Sequence, residues 1–196
     1  MGAYAPAPLL DSAALEAVRQ RVLEPTLAAL KARGIDYRGV IYAGLMLTST
    51  GISVIEFNCR FGDPECETLM PLLGPQLAQV LLACALGRLD RAPVLTIAPR
   101  CSACVIAAAS GYPGEVRRGD RIESSLESRA DLQLFHAGSQ RLADGSTVTS
   151  GGRVLAVVAQ GDDFDAAFAA AYAGLALVHF EGITYRRDIG YQVRRT

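Results

Sequence analysis

The stretch from Ile52 to Glu65 reads Ile-Ser-Val-Ile-Glu-Phe-Asn-Cys-Arg-Phe-Gly-Asp-Pro-Glu, an apolar run that becomes polar and then turns. Its first seven residues are rich in Ile, Val and Phe, a composition that favours a β-strand. Side chains alternate across a strand, so Glu56 and Asn58 are predicted to project from one face. Ile55 and Phe57 are expected to enter a buried layer on the opposite face.

Glu56 and Asn58 have the chemistry of a metal site. A carboxylate and an amide oxygen about two strand rises apart suit a hard divalent cation such as Mg2+, which completes its octahedron with waters and nucleotide phosphates. Arg60 has the same parity if the strand continues, which would bring a guanidinium to the phosphate oxygens. Asp63 and Glu65 add two carboxylates in the turn that follows. On spacing alone, a hairpin end with solvated charges is the alternative, and it stays open.

The residues before this stretch predict a helix and a hairpin. After an opening loop at Tyr4 to Pro8, Asp11 is a suitable N-cap for a helix that Pro25 should kink and Gly34 should end. The segment from Tyr37 to Leu47 is β-rich. A Ser-Thr-Gly turn then connects it to the next strand, which predicts a β-hairpin.

The residues from Thr68 to Gly87 carry no charge and are numerous enough to cross a bilayer. Pro71 and the pair Gly74-Pro75 interrupt this run, so it predicts buried helical pieces joined by a turn instead of a membrane span. The two short helices are expected at Glu65 to about Leu73 and at Pro75 to Leu89.

A change in composition between Asp90 and Arg100 predicts a boundary between two domains, 1–97 and 98–196. The second domain is predicted to be α+β. Asp162 or Asp163 should cap a helix whose aromatic stripe forms part of the core. The strands are expected at Ala103 to Ala109, Leu132 to Phe135, Thr147 to Thr149 and Val154 to Gln160.

The composition limits the partners. The chain has 196 residues, of which 51% are hydrophobic and 20% are charged. This length and composition are typical of one or two compact domains and argue against a disordered tail. Nineteen basic against twenty acidic residues leave no positive excess for a nucleic-acid backbone, so no nucleic acid is expected. The first ten residues lack a signal-peptide pattern, and the five cysteines are an odd number. A cytoplasmic location is therefore expected.

Several chemistries are excluded by the residue inventory. Lys31 is the only lysine and ends no Gly-rich loop, so there is no P-loop. His136 and His179 are the only histidines, and no Gly-x-Ser-x-Gly motif accompanies them, which disfavours a serine hydrolase. Cys101 and Cys104 have the spacing of half a zinc site, but no second pair completes it, so we interpret this spacing as incidental.

The chain resembles the phosphoribosylamine–glycine ligase family, also called glycinamide ribonucleotide synthetases, over essentially its full length. The Arg-Phe-Gly-Asp-Pro-Glu run is the most specific part of this resemblance. The matching motifs, in the order of the family, are Met1-Gly2-Ala3-Tyr4-Ala5-Pro6-Ala7-Pro8, Tyr42-Ala43-Gly44-Leu45-Met46, Glu56-Phe57-Asn58-Cys59-Arg60-Phe61-Gly62-Asp63-Pro64-Glu65, Gly111-Tyr112-Pro113-Gly114, Phe135-His136-Ala137-Gly138, Ser150-Gly151-Gly152-Arg153-Val154-Leu155 and Tyr185-Arg186-Arg187-Asp188-Ile189-Gly190.

The resemblance implies an ATP-grasp enzyme that joins glycine to 5-phosphoribosylamine through glycyl phosphate, with conversion of ATP to ADP and phosphate. It implies that Glu56 and Asn58 hold Mg2+ or Mn2+ against the ATP phosphates. Arg60 and Asp63 are assigned to catalysis, and both belong with Glu65 to the substrate pocket. Arg60 is expected to meet a phosphate.

Compared with the family, the chain is about half as long and resembles the second half of the ATP-grasp domain followed by the whole C-terminal domain. The missing N-terminal half is therefore an expected partner, and the isolated chain is expected to be inactive. The residues from Gly151 to Arg153 are further candidates for the pocket. The alternative function is a non-catalytic binding or assembly module that keeps this fold and uses an exposed face to meet a partner.

Overall fold

The computed structural model describes residues 1–194, which form two compact units that interleave along the chain. The first unit contains Met1–Pro6, Asp63–Leu72 and residues 97–194. The second contains Ala7–Gly62 and Leu73–Thr96. The predicted mixture of helices and antiparallel strands is confirmed.

Helices and strands alternate irregularly along the chain. The helices are α1 (Ser12–Val18), α2 (Glu24–Ala32), α3 (Glu65–Leu69), α4 (Leu77–Ala85) and α5 (Phe164–Leu175). The strands are β1 (Gly2–Ala5), β2 (Tyr42–Thr48), β3 (Gly51–Asn58), β4 (Cys101–Ala108), β5 (Glu123–Ser124), β6 (Leu132–His136), β7 (Ser139–Arg141), β8 (Thr147–Thr149), β9 (Arg153–Gly161) and β10 (Val178–His179).

The first unit is built on a four-stranded antiparallel sheet in the order β1-β4-β9-β6. The central strands β4 and β9 are almost wholly buried because their apolar side chains fill both faces of the sheet. Helix α5 covers one face, where Phe168 and Leu175 pack into the main core with Phe180. The predicted core role of the aromatic stripe on α5 is thereby confirmed.

Strand β1 corrects the predicted opening loop. Tyr4 and Ala5 pair with Ala103 and Ser102 of β4 instead of forming part of a loop. Four residues are too few to show a hydrophobic period, and the pairing partner lies about a hundred residues away, so local sequence carried no signal for this strand.

The predicted helix near the beginning of the chain forms as α1 and α2, with a local change in helical winding between them. Asp11 accepts a hydrogen bond from the Ala14 N–H (2.8 Å) and caps α1. Between α1 and α2, residues Arg19–Leu23 form a π-helical segment immediately before Pro25. Proline has no N–H to donate into the preceding turn, so the predicted disturbance of the helix at Pro25 appears as wider winding.

Strands β2 and β3 form the predicted hairpin, but its apolar side chains are not covered. Ile55 is 62% exposed and Phe57 is 45% exposed. The expectation that these residues enter a buried layer is therefore wrong within the described unit, because β2 and β3 form a two-stranded sheet with no third strand.

Helix α4 is shorter than predicted and is not buried. The structure places it at Leu77–Ala85 instead of Pro75 to Leu89, and none of its residues is buried. The helix that begins at Glu65 is confirmed, although it passes into a 3-10 turn at Met70–Leu72. Among residues 1–194, no helix combines the length and the apolar run needed to cross a bilayer.

The compact units are divided differently from the predicted domains 1–97 and 98–196. Met1–Pro6 and Asp63–Leu72 lie in the same unit as the C-terminal residues, because β1 pairs with β4 and α3 packs on β1 and β4. The boundary after residue 97 stays a prediction for the family domains.

We expect Asp163→Ala to lower the free energy of unfolding by about 1 kcal/mol, because Asp163 accepts the Ala166 N–H (2.8 Å) and caps α5. Urea unfolding of the first unit measures this loss. Asp162→Ala is the matched control. Its carboxylate is fully exposed and makes a long ion pair, 3.6 Å from the Arg100 Nε atom. Exposed pairs of this kind contribute little to stability, so its removal should leave the unfolding midpoint almost unchanged. Equal losses in the two variants would contradict the assignment of the cap.

Candidate functional site

Glu56 and Asn58 lie side by side on one face of β3, as their spacing predicts. The Asn58 Nδ2 atom donates a hydrogen bond to Glu56 Oε1 at 2.8 Å. Opposite them on β2 are Gly44 and Tyr42, respectively. An added Cβ at Gly44 would lie 3.1 Å from the Glu56 Cγ atom, so glycine leaves room for the Glu56 side chain. The strand therefore presents a carboxylate and an amide together.

Arg60 lies beyond the end of β3, which stops at Asn58. The strand does not continue, so the expected parity with Asn58 does not hold. The Arg60 guanidinium instead donates to the backbone carbonyl of Phe61 at 2.8 Å. This bond turns the side chain back along the loop and leaves other guanidinium N–H groups of Arg60 for an anion.

Asp63 is held by Arg153 from the start of β9. The Arg153 Nη1 atom donates to the backbone carbonyl of Asp63 at 2.8 Å, and Nη2 lies 3.0 Å from the Asp63 Oδ2 atom. The pair is partly exposed, with about one third of the Arg153 side chain accessible. Sequence reasoning placed both residues among the pocket candidates but had no signal that they would bond each other.

Glu65 lines a cleft of about 530 Å³ in the first unit. The cleft is bounded by the beginning of β1 and by the turn that contains Arg186 and Asp188. Those two side chains form an ion pair of 2.5 Å. The cleft therefore combines a carboxylate, an ion pair and backbone groups, a polar lining that suits a small charged molecule. The segment from Tyr185 to Gly190 is one of the family motifs in the sequence, but the sequence alone predicted no role for it.

The predicted site residues are distributed over both units. Glu56, Asn58 and Arg60 lie in the second unit, whereas Asp63 and Glu65 lie in the first. The boundary between the two compact units falls between Gly62 and Asp63, which are consecutive residues of the chain.

Glycines bring three of the motif loops into close contact. An added Cβ at Gly138 would lie 2.6 Å from the Arg153 carbonyl oxygen and 2.8 Å from the Gly151 Cα atom. At Gly152 it would lie 2.6 Å from the ring of Tyr112. Gly151 thus allows the Gly138 backbone to approach closely and Gly152 allows the Tyr112 ring to do so, which explains the glycine pair by sterics.

The histidines and the cysteine pair show no catalytic arrangement. His136 Nδ1 lies 2.9 Å from the Ser139 hydroxyl, and His179 is exposed on β10. Cys101 packs against the core on one face of the sheet, whereas Cys104 belongs to the cluster on the other face. Within residues 1–194, no three His, Cys, Asp or Glu side chains are grouped to hold a metal ion.

Two family descriptions match this chain. Residues 1–66 match "Phosphoribosylglycinamide synthetase, ATP-grasp (A) domain", and residues 102–192 match "Phosphoribosylglycinamide synthetase, C domain". The chain belongs to the phosphoribosylglycinamide synthetase family. Its ATP-grasp match includes β3 and the turn to Glu65, and its C-domain match includes Arg153 and the turn at Arg186.

Relatives and solved structures agree with this family. The chain is 48% identical to a phosphoribosylamine–glycine ligase from Synechocystis over 98% of its own length and 46% of that relative. The structure of the ligase from Thermotoga maritima matches with a TM-score of 0.80 and 33% identity, over 96% of this chain and 46% of that one. The chain thus spans about half the length of these relatives.

A more distant structure supports the fold alone. Biotin carboxylase from Campylobacter jejuni, solved as a complex with an ATP compound, matches with a TM-score of 0.61 at 18% identity. The match covers 94% of this chain and 40% of that one.

We expect Cys104 to resist alkylation in the native chain while Cys59 reacts. Burial, and to a smaller extent the nearby Glu67 carboxylate, raises the pKa of the Cys104 thiol to about 12, so almost no thiolate forms at pH 8. Cys59 is exposed. Iodoacetamide labelling followed by peptide mass spectrometry measures both sites, and labelling in urea should modify both. Native labelling of Cys104 at the rate of Cys59 would contradict the buried placement.

Proposed function

We propose that this chain supplies the metal-binding strand and part of the substrate pocket of a phosphoribosylamine–glycine ligase of purine biosynthesis. The observation that carries the proposal is the Glu56–Asn58 pair, which lies on one face of β3 within the segment that matches the ATP-grasp domain. Use of ATP follows from that family. A cytoplasmic location is part of this proposal, and the five free cysteines fit a reducing compartment.

Glu56 and Asn58 fit a divalent cation by their chemistry. Their side chains already meet at 2.8 Å, and rotation of the Asn58 amide would turn its oxygen to the same side as the Glu56 carboxylate. Two protein oxygens are few, but Mg2+ commonly takes its remaining ligands from water and nucleotide phosphates. When bound, Mg2+ or Mn2+ would neutralise charge on the phosphates of ATP and orient them.

The proposed reaction has two steps. A glycine carboxylate oxygen attacks the γ-phosphorus of ATP and releases ADP, which gives glycyl phosphate. The amine nitrogen of 5-phosphoribosylamine then attacks the acyl carbon, the bond from that carbon to the phosphate oxygen breaks, and the nitrogen loses a proton. Phosphorylation is needed because a free carboxylate is a poor electrophile at neutral pH.

The remaining predicted residues have roles that fit their surroundings. Arg60 would donate its remaining guanidinium N–H groups to phosphate oxygens. Glu65 would bind a substrate amine from the wall of the cleft. A catalytic and substrate-binding role for Asp63 stays a prediction, and its ion pair with Arg153 means that it would act with one carboxylate oxygen already engaged.

The N-terminal half of the family's enzyme is the proposed partner of this chain. The relatives are about twice as long, and the exposed side chains of Ile55 and Phe57 form an apolar patch on the β2–β3 hairpin. A sheet face of this kind is normally buried by a further layer. A matching upstream segment would supply that layer together with groups that hold ATP.

We expect the isolated chain to release no ADP in the presence of glycine, 5-phosphoribosylamine and ATP, because nucleotide-binding groups act together. Adding the N-terminal half of a close relative should restore turnover. In that mixture, Glu56→Gln should lower kcat about a hundredfold or more through loss of the metal ligand. Glu127→Gln, at an exposed position, is the matched control and should leave turnover unchanged.

Two results would contradict this assignment. Robust turnover by the isolated chain would refute the need for the missing half. Full activity of the Glu56→Gln variant, with Mg2+ dependence unchanged, would refute the metal role of β3.

A non-catalytic assembly module is the second candidate, because the same apolar patch could serve a different partner. We expect light scattering to show concentration-dependent self-association of the isolated chain. Ile55→Ser should reduce this association, whereas Leu9→Ser, at an exposed residue outside the hairpin, should not. Suppression of association by the N-terminal half with recovery of turnover favours the ligase. Binding without turnover favours the module, and a monomer at all concentrations contradicts a contact role for the patch.

A further inference from the structure

The turn from Arg186 to Gln192 forms one wall of the cleft that Glu65 lines. The charged residues of the turn that line the cleft are Arg186 and Asp188, which bond each other through two N–H groups and both carboxylate oxygens. An ion pair within one turn orients the two side chains relative to each other. It does not attach the turn to the rest of the unit, so the position of this wall depends on other contacts.

Tyr172 attaches the turn to helix α5. Its hydroxyl donates a hydrogen bond to the Arg186 carbonyl oxygen at 2.9 Å and accepts one from the Ile189 N–H at 3.2 Å. These two backbone groups flank Asp188. One hydroxyl on α5 therefore holds both ends of the segment that carries the ion pair.

The ring of Tyr172 is itself held in place. It packs against Phe168 and Tyr185, with ring centroids 6.4 Å away in each case, and the Arg194 guanidinium lies 5.7 Å from its centroid. Burial raises the pKa of Tyr172, so the hydroxyl stays protonated and able to donate at neutral pH.

Steric contacts with α5 and β1 also leave the turn little freedom. Gly190 has a φ of +74°, and an added Cβ there would lie 2.1 Å from the Phe168 ring. An added Cβ at Gly2 would lie 2.9 Å from the Ile189 Cγ2 atom. The two glycines allow the turn to approach α5 and β1 closely, and the Tyr172 hydroxyl supplies the directional bonds at that contact.

We propose that Tyr172 is a positioning residue for substrate binding, whose hydroxyl fixes the Arg186–Asp188 wall of the cleft through the backbone of Arg186 and Ile189. Tyr172 does not line the cleft among the residues that the structure describes, so it acts on a ligand only through the turn. The inference rests on the proposed use of this cleft for a small charged substrate of the ligase.

The test compares Tyr172→Phe with Tyr185→Phe in the complete 196-residue chain. Each substitution removes one hydroxyl from neighbouring rings of the same aromatic group, but only the first removes the bonds to Arg186 and Ile189. Amide hydrogen exchange of Ile189 reports the position of the turn. Exchange of the β4 and β9 amides confirms that each variant is folded.

Binding is measured on the same samples by titration with glycine and, separately, with ribose 5-phosphate, followed by the amide NMR shifts of Gly190 and Tyr191. In Tyr172→Phe we expect Ile189 exchange to accelerate and the affinity of the ligand that binds to fall, each by about threefold to tenfold, because the two hydrogen bonds that are lost are each worth little net free energy against water. Tyr185→Phe should match the wild type in both measurements.

The outcomes separate this inference from the proposed function. If the wild type binds a probe but Tyr172→Phe keeps its Ile189 protection or its affinity, Tyr172 is not a positioning residue. If the wild type binds neither probe, the substrate role of the cleft is refuted, and the positioning role in binding is refuted with it. Faster exchange and weaker binding confined to Tyr172→Phe support the proposal.

Discussion

The antiparallel pairing of β1 with β4 is the constraint on which the first unit depends. It places Gly2 opposite Val105 and Ala5 opposite Ser102. This pairing joins the beginning of the chain to a sheet whose other members all come from beyond residue 100. Helix α3 packs on the same two strands. The cleft that contains Glu65 therefore draws its walls from three distant parts of the chain.

The loops of the candidate site are held in place by side chains that hydrogen-bond to loop backbone groups. Arg153 holds the Asp63 carbonyl and carboxylate, and Tyr172 holds the Arg186 carbonyl and the Ile189 N–H. In both cases a side chain from a regular element satisfies backbone groups of a loop. Such loops keep a defined shape without joining a sheet, which is what a binding site needs from segments that carry charged residues.

Local patterns predicted the elements whose neighbours are close in sequence. The hairpin, the Asp11 cap, a cap at Asp162 or Asp163, the aromatic stripe of α5 and the strands at 132 and 147 follow from short-range periodicity and turn chemistry. Strand β1 escaped prediction because its partner is far along the chain. The burial expected for Ile55, Phe57 and α4 was wrong. Apolar side chains indicate a surface that favours burial, but among the described residues none packs over these side chains to bury them.

The sequence by itself determined the alternation that places Glu56 and Asn58 on one face of β3, since side chains of any strand repeat every two residues. It also determined the family, because a run of specific residues does not require coordinates to be recognised. Only the tertiary structure decided that Arg60 leaves the strand, that Arg153 engages Asp63, and that Glu65 and the Arg186 turn line one cleft. These relations depend on pairing between residues far apart in the chain, and no local periodicity encodes such pairing.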